Sequence, residues 1–246
     1  LLAVLAVLAL ALGGCGRGDG QTVPAPPVSS DPAAVHTAAG TLRGAVASDH
    51  RLFAGIPYAA PPVGALRFAP PATADRWPGE RDATRTGPRC SRWLASRGDI
   101  VVVTVNYRLG TLGFLTHPSL GPAGDVGNYG FADQQAALRW VRDNIAAFGG
   151  DPEKVTVAGE SAGGMSVCDH LVAPGSVGLF GAAIMMSAPC QAQAELATAQ
   201  RDSVDYAAAV GCSDPATAAA CLRALPVDKL RKPVWFFNIG SDELTG

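Results

Sequence analysis

The sequence lacks any concentration of positive charge. Lysine and arginine together number 19 against 21 aspartates and glutamates, and the formal net charge of the 246 residues is −2. Proteins that bind nucleic acid usually carry a basic patch or a basic stripe along one element. We therefore expect no nucleic-acid partner.

Internal repeats and long apolar runs are also missing. The N-terminal aliphatic run, Leu1 to Leu12, is shorter than the ~20 residues that an α-helix needs to span a bilayer. A chain of this length can be served by one hydrophobic core. The sequence therefore predicts one domain behind short N-terminal segments.

What the sequence does contain is a serine motif at the end of an apolar run. Gly159-Glu160-Ser161-Ala162-Gly163 directly follows the apolar residues Val155 to Ala158. A strand that enters G-x-S-x-G and continues as a helix, here predicted from Ser161 to Leu171, is typical of a nucleophile elbow. Ser161 is then the candidate nucleophile, and the Ala162 N–H is a candidate donor to an oxyanion. The alternative is that five small residues match the motif by chance.

The surrounding pattern predicts alternating strands and helices. Ile100 to Val105 is uniformly apolar or β-branched, as expected of a strand buried on both faces of a parallel sheet. Ala182 to Met186 predicts another strand after the elbow helix. One helix carries an apolar stripe that ends at Gly149-Gly150; its members are Leu138, Val141, Ile145 and Phe148. This order is that of a doubly wound α/β fold.

Longer motifs carry a resemblance to a known family. They are Phe53 to Ala59, Leu66 to Pro71, Ile100 to Gly110, Gly127 to Gln135 and Phe148 to Pro152, together with the serine motif. In this order they resemble the type-B carboxylesterase/lipase family, which includes bacterial carboxylesterases and the cholinesterases.

The resemblance implies an α/β-hydrolase fold, a doubly wound and mostly parallel sheet with an N-terminal β-hairpin. It also implies hydrolysis of small-molecule carboxylic esters through an acyl-enzyme. Neither a metal nor an organic cofactor is implied.

The same resemblance indicates that parts are missing. The family carries His-Gly-Gly-Gly in a loop that completes the oxyanion hole, but here Cys90 runs through Trp93 without it. A second break falls near Leu230 to Lys232, after which Glu243 is the candidate triad acid; a solvated carboxylate is its alternative reading. The chain stops at Gly246, before a segment that could carry the family's histidine. We expect an internally shortened and truncated member of the family, with little or no activity.

No histidine in the sequence is a good substitute base. His170 follows Ser161 by nine positions, about 13 Å along one helix at 1.5 Å per residue. His36 falls in the linker region and His50 in a turn of the N-terminal hairpin. His117 is the least unfavourable choice, but a structural or surface role is the better interpretation for all four.

The resemblance extends to one disulfide. Cys212 and Cys221 match a family pair, whereas Cys90 matches half of another pair whose partner is not found. Cys168 and Cys190 either meet or remain a buried thiol and a free one.

The N-terminus predicts export. Leu12-Gly13-Gly14-Cys15 follows a run of signal-peptide length and resembles a bacterial lipobox, so Cys15 is the candidate lipidation site. An ordinary secretory signal with a chance cysteine is the alternative. We predict a signal segment at 1–15, a flexible linker at 16–35 and a partial hydrolase domain at 36–246. The protein is then an exported bacterial lipoprotein, anchored on the outer face of the cytoplasmic membrane or at the cell surface.

Two alternatives to an active ester hydrolase stay open at this point. The scaffold could serve as a non-catalytic carboxylesterase-like binding protein, although the intact Ser161 motif favours an enzyme. The chain could also be a non-functional gene fragment.

The lipobox makes a testable prediction. Expressed with its full upstream start, the protein should take up radioactive palmitate at Cys15 and enter the detergent phase on partition, because acyl chains add membrane affinity with each buried methylene. Cys15→Ser should abolish both. A wild-type protein that stays aqueous and unlabelled would rule out the anchor.

Overall fold

The computed structural model of the chain describes residues 29–85, 100–122 and 125–230. Its N-terminal part is built of short strands. Strand β1 (Ala34–Thr37) pairs antiparallel with β2 (Gly40–Arg43), so the N-terminal hairpin is present as predicted. β1 begins before residue 36 and contains His36, which the sequence analysis assigned to the linker region.

A second hairpin and a parallel strand complete this region. β3 (Ala45–Val46) pairs antiparallel with β4 (Arg51–Leu52). His50 lies in the turn of this second hairpin rather than in the β1–β2 hairpin. β5 (Glu80–Asp82) joins β2 in parallel register.

The prediction of a buried strand at Ile100 to Val105 is wrong for the described structure. No strand is assigned there, and Ile100, Val101 and Val103 are 56%, 43% and 42% exposed. A strand is defined by hydrogen bonds to a neighbouring strand. In the described ranges no strand pairs with this run, and only Val102 and Val105 of its apolar residues are half-buried.

The predicted apolar stripe lies on a real helix. Helix α1 (Gly110–Phe114) is short, and α2 (Tyr129–Asn144) is followed by a 3-10 turn, Ile145–Phe148. Within the stripe Val141 and Ile145 are buried. Gly149 ends the turn at a φ of 91°, a left-handed conformation that favours glycine, so the predicted termination is confirmed.

The serine motif lies between two parallel strands. β6 (Thr156–Glu160) leads into α3 (Ala162–Val172), and β7 (Ala182–Met186) returns beside β6. The register runs from Thr156 opposite Ala182 to Glu160 opposite Met186. This strand, helix and parallel strand are the unit that the sequence predicts, and β7 has the predicted bounds.

Three C-terminal helices enclose the main apolar cluster. They are α4 (Leu196–Ala209), α5 (Ala218–Ala224) and α6 (Val227–Leu230). The buried members of the cluster are Phe68, Leu115, Tyr129, Tyr206, Ala207, Cys212, Leu222 and Leu230. A disulfide joins Cys212 to Cys221 at the edge of this cluster. In the described part of the chain no helix is long and apolar enough to span a bilayer.

A buried ion pair connects these regions. Both side chains are nearly covered, Arg108 being 8% and Asp133 7% exposed. The Arg108 guanidinium donates to both carboxylate oxygens of Asp133 at 2.7 Å. It also donates to the carbonyl oxygens of Ala69 and Tyr129 at 2.7 and 3.3 Å. One side chain thereby holds the N-terminal region, the 100–109 run and α2 together.

His170 connects α3 to α2 through neutral hydrogen bonds. Its Nε2 lies 3.0 Å from Gln134 Oε1, an obligatory acceptor, so Nε2 carries the proton and Nδ1 accepts from the Ser176 hydroxyl at 2.8 Å. Phe131 stacks on the ring with centroids 4.3 Å apart. Burial lowers the pKa of His170 to about 4, so the ring is neutral near pH 7.

The first prediction from the fold concerns the buried pair. Asp133→Ala should lower the free energy of unfolding by about 3–5 kcal/mol, because it leaves the Arg108 charge buried without its partner. The matched control is Asp143→Ala. Asp143 pairs with Arg142 at the surface, where the two side chains are 61% and 45% exposed, so this substitution should lower the free energy of unfolding by less than about 1 kcal/mol. Urea denaturation measures both. Equal losses in the two variants would contradict the assignment.

The second prediction is a pH dependence of stability. The pKa of an unfolded histidine lies near its ordinary value of 6.5, whereas burial lowers the pKa of folded His170 to about 4. The unfolded state therefore binds the proton more readily between these pH values. Stability is therefore lost as the pH falls from 6.5 towards 4, and the contribution of His170 reaches about 3 kcal/mol at the lower end. His170→Gln should unfold more easily at pH 7 but show a flatter profile across this window. A variant profile as steep as the wild type's would refute the role.

Candidate active site

Ser161 occupies the junction between β6 and α3 in a strained backbone conformation. Its φ is 53° and its ψ is −121°, a combination that a non-glycine residue rarely adopts. The residue is exposed. The turn thus directs the serine away from the core at the carboxyl end of a strand, where α/β folds place their functional groups.

Close backbone approach explains two glycines around the serine. A Cβ at Gly159 would overlap the carbonyl oxygen of Gly163, so a side chain there would block the turn. A Cβ at Gly164 would lie 2.7 Å from the Ala188 Cβ and 3.1 Å from the Met186 oxygen. Gly163 itself meets nothing within 4 Å, so packing in the described structure does not require that glycine.

The start of α3 supplies hydrogen-bond donors beside the serine. Ala162 is the first residue of this helix of 11 residues. The N–H groups of a helix's first turn have no acceptor within the helix, and the helix dipole favours negative charge there. The Ala162 N–H is one of these groups, and its role as an oxyanion donor stays a prediction.

The chain after β7 lies against α3. We call residues 187–193 the cover segment. Just before it, Met186 accepts a hydrogen bond from the Ser161 N–H at 2.9 Å. Within it, Cys190 forms a disulfide with Cys168 of α3, and Gln193 donates to Asp169 at 2.8 Å. The segment is thus fixed to α3 at several points along the helix.

The sequence left the pairing of Cys168 with Cys190 open and did not indicate the other contacts of the cover segment. The glycine that follows the motif, Gly164, is the signal that could have indicated a segment packed on the helix. Ser187, with a φ of 51°, carries no such signal. Its conformation follows from the sharp turn that the chain makes where β7 ends.

All four histidines lie in the described residues, and each ring has a nearby partner other than Ser161. His36 Nδ1 lies 2.9 Å from Thr41 Oγ1, and His50 Nδ1 lies 2.7 Å from Asp49 Oδ1. His117 is 4% exposed and its Nδ1 accepts from the Ser119 N–H at 3.1 Å. Burial lowers the pKa of His117, and His170 is engaged at both nitrogens. The structural interpretation of the histidines fits these contacts.

Other predicted positions lie outside the described residues. These are Glu243, Cys15 and Cys90, whose assignments stay predictions. The structure thus brings together Ser161 and Ala162 from the predicted site. In the described ranges no group of three or more His, Cys, Asp or Glu side chains is placed to hold a metal.

Two cavities of the described residues lie away from the serine. One, of about 320 Å³, is lined by Tyr58, Asn106 and several prolines; another, of about 510 Å³, is lined by Phe68, Tyr129 and neighbouring residues. Neither has Ser161 in its lining, and Ser161 is exposed among the described residues.

Comparison with known proteins agrees with this geometry. The sequence model of the carboxylesterase family matches residues 31–93 and 91–245. The two matches meet at 91–93, where the sequence analysis places the missing glycine loop. The chain is thus a partial member relative to its homologues.

Individual relatives are esterases. The chain is 38% identical over 226 residues to a fumonisin B1 esterase of Sphingopyxis macrogoltabida, which covers 67% of this chain and 42% of that protein. It is 36% identical over 211 residues to a para-nitrobenzyl esterase of Bacillus subtilis, which covers 62% of this chain and 43% of that protein. The chain therefore spans less than half the length of these relatives.

The fold comparison points the same way. The crystal structure of the Geobacillus stearothermophilus carboxylesterase EST55 superposes with a TM-score of 0.74 at 32% identity, covering 84% of this chain and 56% of that one. The structure of a PNB esterase matches with the same TM-score at 33% identity. The strained serine between parallel strands, the two family matches and these neighbours lead to one conclusion: the chain belongs to the carboxylesterase family and has its α/β-hydrolase fold.

Proposed function

We propose that this chain derives from a hydrolase of small-molecule carboxylic esters in which Ser161 is the nucleophile. The observation that carries the proposal is the backbone of Ser161, strained at a φ of 53° between β6 and α3. Strain of this kind persists where the surrounding structure fixes it, and it is common at active sites. The family of esterases to which the chain belongs supports the same chemistry.

In the proposed reaction the Ser161 oxygen attacks the ester carbonyl carbon while a base takes the hydroxyl proton. The resulting oxyanion accepts a hydrogen bond from the Ala162 N–H. The bond to the alcohol oxygen then breaks, and the alcohol leaves with the proton. Water attacks the acyl-enzyme in the same way and releases the carboxylic acid. Glu243 is our candidate for the acid that orients the base.

Among the described residues of the 246-residue chain, no histidine is placed to accept the Ser161 proton. A serine hydroxyl needs a proton acceptor within about 3 Å, and each of the four histidines has another partner. The sequence also lacks His-Gly-Gly-Gly and with it the remaining oxyanion donors. Loss of the triad partners costs several orders of magnitude in rate. We therefore propose that this chain alone hydrolyses esters very slowly.

The same observation favours one alternative function. A serine elbow without a base could bind an ester or a carboxylic acid at the start of α3 without turning it over. This alternative is a carboxylesterase-like binding protein. It differs from the esterase in forming no covalent adduct at Ser161.

Export and anchoring complete the proposal. A lipid on Cys15, with residues 16–35 as a tether, would hold the domain at a membrane surface. The lipobox-like end of the apolar run, Leu12 to Cys15, supports this part.

The test is covalent labelling rather than turnover. With a fluorophosphonate in excess, the purified chain should label slowly and stoichiometrically at Ser161. The Ala162 N–H at the start of α3 can stabilise the negative charge that develops on the phosphoryl oxygen, and without a nearby base the rate is low. Turnover of p-nitrophenyl acetate should stay at least about 10³-fold below that of a complete family member assayed alongside.

Ser187→Ala is the matched control. Ser187 is an exposed serine with the same unusual φ sign, 51°, at the end of the adjacent strand, and its loss should leave labelling unchanged. Ser161→Ala should abolish it. Labelling that survives Ser161→Ala would overturn the nucleophile. Robust Ser161-dependent turnover would overturn the proposed slow rate, and reversible binding without an adduct would favour the binding protein.

A further inference from the structure

The two disulfides of the described structure differ in the solvent exposure of their cysteines. Cys212 is 3% exposed and belongs to the main apolar cluster, against which Cys221 packs partly buried. Cys168 is also buried, at 7%, but its partner Cys190 is exposed. The Cys168–Cys190 bridge therefore has one end in the protein interior and the other at the surface.

This asymmetry decides which sulfur a reagent can reach. Thiol–disulfide exchange requires a thiolate to attack one sulfur while the other leaves. Attack on Cys168 is hindered, because only 7% of the residue is exposed and its sulfur lies 3.5 Å from the Met185 sulfur. Attack on Cys190 is open from solvent and expels Cys168 into the interior.

We propose that Cys190 is a modification site for low-molecular-weight thiols, which form a mixed disulfide there. In the reaction a thiolate RS⁻ bonds to the Cys190 sulfur, and the bond between Cys190 and Cys168 breaks. Cys168 takes the electron pair as a thiolate and then a proton from solvent. One disulfide is consumed and one is formed, so no external oxidant or reductant is needed.

The surroundings of Cys168 favour persistence of the product. Val167 is buried beside it on α3, and the sulfur faces Met185. Apolar surroundings disfavour a thiolate, so the released Cys168 is held as a thiol. A thiol does not attack the mixed disulfide, and reclosure of the bridge is slowed.

The exchange has a mechanical consequence beside Ser161. Once the bridge opens, the cover segment keeps the Gln193–Asp169 hydrogen bond at 2.8 Å and the packing of Ala188 on Gly164. A single hydrogen bond contributes only about 1 kcal/mol. The cover segment should then open locally while the rest of the fold stays closed. This inference concerns the disulfide and does not depend on catalysis by Ser161.

The experiment uses the intact oxidised chain and reduced glutathione at millimolar concentration under native conditions. Mass spectrometry of a digest made without further reduction should find glutathione on Cys190, and a thiol should appear on Cys168. The rate should exceed that of any adduct on Cys212 or Cys221 by at least about tenfold, because Cys212 is buried in the apolar cluster and Cys221 is partly buried against it, whereas Cys190 is exposed. Far-UV circular dichroism taken in parallel establishes that the fold is retained.

Hydrogen exchange gives the second readout. Peptides from 186–195 should exchange at least about tenfold faster after adduct formation, while α4 should not change. A Cys168→Ser/Cys190→Ser double variant should show the faster exchange without any thiol and no further change when thiol is added. Three results would overturn the proposal: an adduct first on Cys168, equal rates at the two bridges, or an adduct that leaves exchange of the cover segment unaltered.

Discussion

The Arg108–Asp133 ion pair is the constraint on which the rest of the structure depends. Its charges are almost fully covered, and a charge that is removed from water must be met by partners that stay in place. Two glycines make the arrangement possible, because a Cβ at Gly113 or at Gly130 would overlap the Arg108 carbonyl oxygen. Both α1 and α2 therefore pack directly on the Arg108 backbone. The apolar cluster around Phe68 and Tyr129 packs next to this ion pair, and α2 also contacts α3.

The serine is held by a second, weaker set of contacts. Through Gln134 and His170, α2 fixes the last turn of α3 by neutral hydrogen bonds. The cover segment contacts the first turn of α3 at Gly164 and is joined to the middle of the helix by the Cys168 bridge. The strained φ of Ser161 is thus maintained from two sides. The His170 hydrogen bonds are buried, whereas the contacts of the cover segment lie partly at the surface. Only the second set is therefore open to reagents in solvent.

The sequence was most informative where contacts are local. The serine motif, the end of the helical stripe at Gly149 and the bounds of β7 depend on residues close in the chain, and these predictions agree with the structure. The run Ile100 to Val105 was predicted less well, because a strand needs a neighbour and hydrophobic composition does not say whether one is present. The contacts of His170 with Gln134 and Ser176 also escaped prediction, since they join residues up to 36 positions apart. The resemblance to a family supplied the disulfide at Cys212 and Cys221, which spacing alone does not determine.

The order of β6, α3 and β7 has a consequence for how the molecule assembles. All the backbone that shapes the elbow, from Thr156 to Met186, is one uninterrupted stretch of chain. Closing a short loop costs little entropy, and elements that are near in sequence find each other quickly. The pairing of β1 with β2 is equally local, whereas the Arg108 contacts with Ala69 join segments 39 positions apart. During synthesis on the ribosome the serine's turn can therefore form as soon as β7 has emerged, before the C-terminal helices that complete the apolar cluster exist.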